Sequence, residues 1–285
     1  MKYYTRFRAY QLGECGASFS YSVEKHFVLI EARYNERNKP HILWELERNG
    51  NTRIDLLHIT SWDNDHCKAN ELENILKELR PRRIEYPAYS PRTVNAKKAM
   101  ELINKYRIGR KYKMTPQLVK TCDRKELRRE DILYNPICKE GLKSNNLSII
   151  KLFRWGSFSV LSLGDCESGL IRDRLIEDPI LRNEVDILIL AHHGADNGFT
   201  TKEFLKAIQP KVAICASDYG NQYGHPSSNI VKILNSCGID YYSTKTGDVI
   251  VQTNDNSSYK VSNYIHNNEV RKSRKSYKNK TYIVN

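Results

Sequence analysis

The run "SWDNDH", residues 61 to 66, sets Asp63, Asp65 and His66 within four positions, directly after the apolar stretch "IDLL". Three more groups of the same kind follow apolar runs. Asp165 stands after Gly164 in "LSLGDCE", His192 and His193 in "LILAHHGAD", and Asn221 and His225 in "YGNQYGHPS". Carboxylates gathered in a partly desolvated crevice repel one another and are costly to bury. A divalent cation removes that penalty. Oxygen and imidazole donors without thiolate suit Zn²⁺, Mn²⁺ or Fe²⁺. Two such ions about 3.5–4 Å apart would polarise a phosphoryl oxygen, activate a water and stabilise a leaving oxygen, which is hydrolysis without a protein nucleophile. Singly, each residue has a duller reading. Asp63 and Asp65 suit a turn or helix cap, His66 a hydrogen-bonded buried histidine, and Asp165 a turn. Their common position at successive strand ends is what points to one site.

Periodicity supplies those strands. "HFVLIEARY" (26–34) and "TRIDLLHI" (52–59) read as strands, and 69–80 as a helix with Leu72, Ile75, Leu76 and Leu79 on one face, ended by Pro81. "IEYP" is a short strand and 92–107 a second helix. "LSIIKLF" (147–153) and "SFSVLSL" (157–163) form two strands around an "RWG" turn. The last third alternates: strands at 185–190 and 211–217, helices at 201–208 and 228–237, then the strands "IDYYST" and "DVIVQT". Polar groups at strand ends in such an α/β pattern converge on one sheet edge, where ligands bind. The reading is one domain over 1–254, with a helical and basic insertion at 82–146 and a basic, flexible tail at 255–285.

The 285 residues suffice for one large core, and 40% hydrophobic with 28% charged residues describes a soluble globular chain. The longest apolar runs are strand-sized, which argues against a membrane span, and the opening "MKYYTRFRAY" lacks the apolar core of a signal peptide, so the cytoplasm is the expected setting. Seven cysteines without a C-x-x-C pair argue against a disulfide framework and a thiolate zinc knuckle. A net charge of +13 favours a polyanionic partner. Ten Lys or Arg against two acids lie between Lys105 and Arg129, with Tyr106 and Tyr112 among them, and "RKSRKSYKNK" (271–280) holds six basic residues and no acid.

The ordered set "SWDNDH"–"NNLS"–"LSLGD"–"AHHG"–"YGHP" resembles the metallo-β-lactamase fold, most closely the soluble nuclease-like domain of the ComEC DNA-uptake proteins. The similarity is sharpest from Ile54 to His66 and from Asn145 to Val251. "YQLGECGAS" and "HFVLIEA" resemble the family's opening strand pair, with Glu31 and Ala32 where it has an acidic residue and a glycine. The resemblance implies an αββα sandwich, two mixed β-sheets flanked by helices, with a metal site at the sheet edge. It implies ligands among Asp63, Asp65, His66, Asp165 and the pair His192 and His193, and one or two divalent ions, zinc or manganese first. It further implies metal-activated water attacking a phosphodiester, with Asp65 and Asp165 central and His225 donating a proton to the leaving oxygen or holding a phosphate. Asn146, Ser148 and Asn221 would orient substrate, and Lys111 and Lys113 of the basic segment would hold a polynucleotide, DNA before RNA. The family's first motif is His-x-His-x-Asp-His or His-x-Asp-x-Asp-His. Ser61 stands in the leading histidine's place, implying a weaker, oxygen-rich or single-metal site. A hydrolase of a small nucleotide signal and a non-catalytic member binding nucleic acid or a partner are the competing readings.

Overall fold

In "FSYSV", Phe19, Tyr21 and Val23 enter the core between two sheets while Ser20 and Ser22 face the other way, the period of two of a strand, here covered on both faces. The computed structural model describes residues 3–108, 130–136, 143–255, 257–265 and 268–280. Its elements run β1 (Thr5–Ala9), β2 (Phe19–Val23), β3 (His26–Ile30), α1 (Lys39–Arg48), β4 (Leu56–His58), α2 (Ala69–Asn74), β5 (Arg83–Glu85), α3 (Val94–Ile108) and β6 (Glu130–Tyr134). There follow β7 (Ile150–Phe153), β8 (Val160–Ser162), α4 (Gly169–Ile176), α5 (Pro179–Glu184), β9 (Ile187–Ile189), α6 (Lys202–Ile208), β10 (Val212–Cys215), α7 (Ser228–Ser236), β11 (Asp240–Ser243), β12 (Val249–Thr253), β13 (Ser258–Ile265) and β14 (Val270–Lys278).

Two mixed sheets form a sandwich. The first has strand order β14-β13-β12-β1-β2-β3-β4-β5, the second β11-β10-β9-β8-β7-β6. Parallel pairing links β3, β4 and β5 in one sheet and β8 to β11 in the other, so β4, β8, β9 and β10 run in the common directions that bring their following loops together. Phe7, Tyr21 and Ile30 of the first sheet meet Phe153, Val160 and Ile214 of the second in the central core. Each such side chain contributes about 1.5–3 kcal/mol by leaving water. A second cluster lies under α1, α2 and α3, with Leu72, Ile75, Leu76 and Leu79 on the predicted face. A third lies under α4 to α7. The layers are therefore αββα, as expected.

Three expectations need correction. Residues 10–18 are the loop between β1 and β2, and the opening strands are "TRFRA" and "FSYSV". The segment 82–146 is only partly an insertion: β5 and β6 are edge strands of the two sheets, and α3 buries Ala96, Ala99 and Ile103. The tail expected to be flexible supplies β13 and β14. Its low average hydropathy hides a period of two that buries Tyr259 and Val261, and Tyr277 stacks on Tyr259 at 5.5 Å. Beyond β14, the Lys280 N–H donates to Asp186 Oδ1 at 2.8 Å, and Lys280 Nζ donates to the Arg182 and Ile208 carbonyls at the ends of α5 and α6, each at 2.8 Å. Burial pushes the Asp186 carboxyl up to about 7 and the Lys280 ammonium down to about 8, the mark of a desolvated clasp.

Candidate metal centre

The loop after β4 is fixed from both sides before any ligand is considered. The His66 and Cys67 N–H groups turn back onto the Asp63 carbonyl at 3.0 and 2.8 Å. Ala17 N–H donates to the Asp65 carbonyl at 3.0 Å and Ala32 N–H to the His66 carbonyl at 2.8 Å, tying the loop to the β1–β2 loop and to the end of β3. Asp165 follows β8 through Gly164, whose φ is +53°. A Cβ there would lie 2.7 Å from Ser148 Cβ, so the turn demands glycine. His192 and His193 follow β9 with φ of +46° and +54°, left-handed backbone that costs a non-glycine residue about 1–2 kcal/mol and persists where packing imposes it.

These constraints bring one ligand atom from each of Asp65, His66, Asp165 and His193 within 4.8 Å of all the others. His66 Nε2 lies 2.9 Å from Asp165 Oδ2 and 3.9 Å from Asp65 Oδ2. His193 Nε2 lies 3.3 Å from Asp65 Oδ2 and 3.8 Å from Asp165 Oδ1. Donors about 2.0–2.2 Å from a shared first-row ion stand at such mutual separations. The outer nitrogens are committed elsewhere. His193 Nδ1–H donates to the Ala216 carbonyl at 2.8 Å, and His66 Nδ1 lies 3.1 Å from both Glu31 Oε1 and Thr60 Oγ1. Glu31 itself accepts from Thr60 N–H at 3.0 Å and from the Thr60 hydroxyl at 2.6 Å. Both Nε2 atoms are thereby turned inward, the arrangement that holds a metal-ligating imidazole. His66 Nε2 is sealed from solvent and has the Asp165 carboxylate as its near neighbour. A buried nitrogen set among two carboxylates and a second imidazole fits a cation.

Electrostatics agree. Burial alone would lower the His66 pKa, but the carboxylates of Asp165, Glu31 and Asp65 outweigh it and hold the imidazole well above its usual value. His193 is raised in the same way by Asp65 and Asp165. Burial tends to raise Asp65 and Asp165, yet the two imidazoles win and both carboxyls titrate below the usual range. Protons on the histidines thus balance the carboxylates where a divalent ion would do so more fully.

The remaining predicted residues fall elsewhere. Asp63 lies outside the converging set. Its carboxylate accepts from Ser61 Oγ at 3.1 Å, and burial raises its pKa. Ser61 is fully buried, 3.3 Å from the Tyr89 hydroxyl, which also accepts from Trp62 N–H. Of the histidine pair, His193 is the one in the cluster; His192 pairs with Glu167 at 2.8 Å. Ser148 is buried and accepts from Asp165 N–H at 3.2 Å, and Asn146 accepts from Glu167 N–H at 2.9 Å, so both fasten loops of the site. Asn221 ties its own loop, donating to the Asp218 and His225 carbonyls and accepting from His225 N–H. His225 stands at the rim, its ring 6.0 Å from that of His192, with Nδ1 buried and unpartnered. Burial and then the neighbouring His193 and His192 lower its pKa, so it is neutral at neutral pH. Lys111 and Lys113 lie outside the described residues. Glu31, Tyr89 and Glu167 were not among the candidate site residues. Glu31 carries the signal that marked Asp165, a carboxylate directly after an apolar strand.

Fold and site together define a metallo-β-lactamase fold. Its architecture is similar to that of the metallo-β-lactamase fold protein YhfI from Bacillus subtilis, with a TM-score of 0.52 over 87% of this chain and 100% of that one at 11% identity. It is similar also to Igni18, a metallo hydrolase from the hyperthermophilic archaeon Ignicoccus hospitalis KIN4/I, with a TM-score of 0.53 over 88% of this chain and 99% of that one at 13% identity. In sequence, 230 residues, 78% of the chain, are 26% identical to ComE operon protein 3 of Bacillus subtilis (strain 168), and the match spans 27% of that protein's length. No family model matches the chain. Among the described residues, no helix is long and apolar enough to cross a membrane.

Proposed function

We propose that the chain is a metal-dependent phosphodiester hydrolase that cleaves nucleic acid, DNA before RNA. The observation that carries this reading is the convergence of Asp65, His66, Asp165 and His193, with one ligand atom of each within 4.8 Å of the others. A divalent ion, when bound, supplies positive charge to a phosphoryl oxygen and lowers the pKa of water. The chain's own residues do the rest. Glu31 and the Ala216 carbonyl keep the two imidazoles aimed inward, while Ser148 and Gly164 hold Asp165 against them. His225, neutral at the rim, can take a proton from an oxygen entering there or offer it one N–H.

Charge supports a polynucleotide over a small ester. The chain carries +13, and β14 presents Lys272, Arg274 and Lys278 exposed on the edge of the first sheet. The resemblance of the motif set to the ComEC DNA-uptake proteins favours DNA. Incubating the purified protein with Mn²⁺, Zn²⁺ or Mg²⁺ and linear or circular DNA, beside Asp165→Ala, tests the reading. Cleavage is expected in the parent and not in the variant, and it should weaken steeply from low to moderate salt. Cleavage surviving in Asp165→Ala would assign the activity elsewhere, and a rate insensitive to salt would favour a small nucleotide substrate.

A further inference from the structure

Between β10 and α7 the chain carries "SDYGNQYGHPS", and two of its side chains are strangely placed for a folded loop. Tyr219 is 80% exposed and Tyr223 65%, against 48% for Trp44 on the opposite layer. The loop is nonetheless firmly built. Asn221 bonds to residues on both sides of it, Gly224 N–H donates to the Asn221 carbonyl at 3.2 Å, and Ser227 N–H donates to the Gly194 carbonyl at 3.0 Å. Large aromatic surface exposed on a hydrogen-bonded loop is a feature of binding sites.

The direction of the loop identifies the site it serves. The Tyr223 ring lies parallel on that of His225, 5.6 Å away at 18°. The His225 ring lies 6.0 Å from that of His192, His192 meets His193 edge-on at 6.2 Å, and His193 lies tilted 5.4 Å from His66. A continuous file of rings therefore leads from the metal ligands to an outermost tyrosine with one covered face and one open face.

We infer that Tyr223, with Tyr219 beside it in the loop, is a stacking platform for a nucleobase flanking the phosphodiester held at the metal centre. This rests on the nucleic-acid reading of that centre. Every base offers a π-face, so such a platform tolerates any sequence. A paired base hides its faces in the helix, so the substrate class is single-stranded or frayed nucleic acid. Tyr223 acts here as a binding residue. His225, beneath it, keeps the proton-handling place.

The test measures binding by fluorescence anisotropy without added divalent metal, so that cleavage does not compete. The probes are a labelled single-stranded oligonucleotide, the same strand with abasic residues in place of its bases, and a blunt duplex. The parent protein should prefer the intact single strand to the abasic one. Tyr223→Ala should bind the intact strand about 5- to 100-fold more weakly and lose most of that preference. Tyr223→Trp should restore it. Tyr223→Leu, which keeps bulk over His225 without a π-face, should not. An abasic penalty that persists unchanged in the Tyr219→Ala, Tyr223→Ala double variant overturns the platform while leaving the nuclease reading intact. Equal binding of duplex and single strand by the parent does the same. A parent protein that binds none of the three probes overturns both.

Discussion

Glu31 Oε1 lies 3.1 Å from Nδ1 of His66, and both side chains are buried. The carboxylate keeps the ring proton on Nδ1 and leaves Nε2 to face the three other donors. Such outer partners set ligand basicity and orientation, and their loss typically weakens metal binding by about 10–100-fold. Glu31→Gln keeps one acceptor oxygen for Thr60 and should stay folded, yet should bind Mn²⁺ or Zn²⁺ that much more weakly in competition with a chromophoric chelator. Unchanged affinity would reduce Glu31 to a structural support for Thr60.

Asp63 and Asp65, two positions apart, should behave differently. Asp65 belongs to the converging set, whereas Asp63 is tied to Ser61 beneath Tyr89. Metal content by native mass spectrometry should fall to none in Asp65→Asn and keep the parent value in Asp63→Asn. A lower count in Asp63→Asn would place a second ion near Ser61.

Acidity should control loading. In the metal-free chain both His66 and His193 titrate above the ordinary imidazole range, so at neutral pH they hold protons that an ion must displace. Affinity should therefore rise with pH, and calorimetry in buffers of different ionisation enthalpy should show proton release on binding. The same raised values stabilise the metal-free fold fully below the unfolded imidazole pKa of about 6.5, and that contribution is lost as pH climbs through the folded values. Asp65 and Asp165, depressed, contribute stability at neutral pH that disappears in acid. Thermal melts of the metal-free protein should thus decline on the alkaline side, and added metal should reverse that decline.

Residues 264–280 should prove structural as well as electrostatic. Removing everything after Asn263 deletes β14 with its Tyr277–Tyr259 stack and the Lys280 contacts to α5 and α6, and should lower Tm by about 10 °C or leave the protein insoluble. Replacing Lys272, Arg274 and Lys278 together by Gln leaves those contacts intact. That variant should melt like the parent while its affinity for DNA falls and depends less on salt. Equal Tm losses in both would mean the charges themselves hold the strand.

Strands such as "VDILIL" were legible because both faces are buried and the run is apolar save for Asp186. By contrast, α1 was hidden. Its inward positions include Glu45, which pairs with Arg6 at 2.6 Å and Arg8 at 3.0 Å, so a charged residue stands where the helical period should show an apolar one. β14 was hidden for a related reason, since an exposed edge strand of Lys, Arg and Ser resembles a solvated tail. At the site, Asp65, His66 and Asp165 could be read from their place at strand ends. The choice between His192 and His193 could not, because adjacent residues share every local signal until the left-handed turn and the Ala216 carbonyl orient one ring inward. For Ser148, Asn146 and Asn221 the sequence could not foretell the loop bonds they make, because polar residues near strand ends fasten loops as readily as they meet ligands.

The first sheet pairs Thr5–Ala9 with Val249–Thr253, and Thr253 Oγ1 accepts from Thr5 N–H across 248 positions. On a ribosome the leading strands therefore emerge without their neighbour, and Glu31 and the loop carrying Asp65 rest on an unfinished layer until translation has passed β12. Loop closure over such a span is slow. Maturation of the ion-binding geometry is accordingly a late event in biogenesis, and a nascent chain arrested before residue 249 should capture no metal.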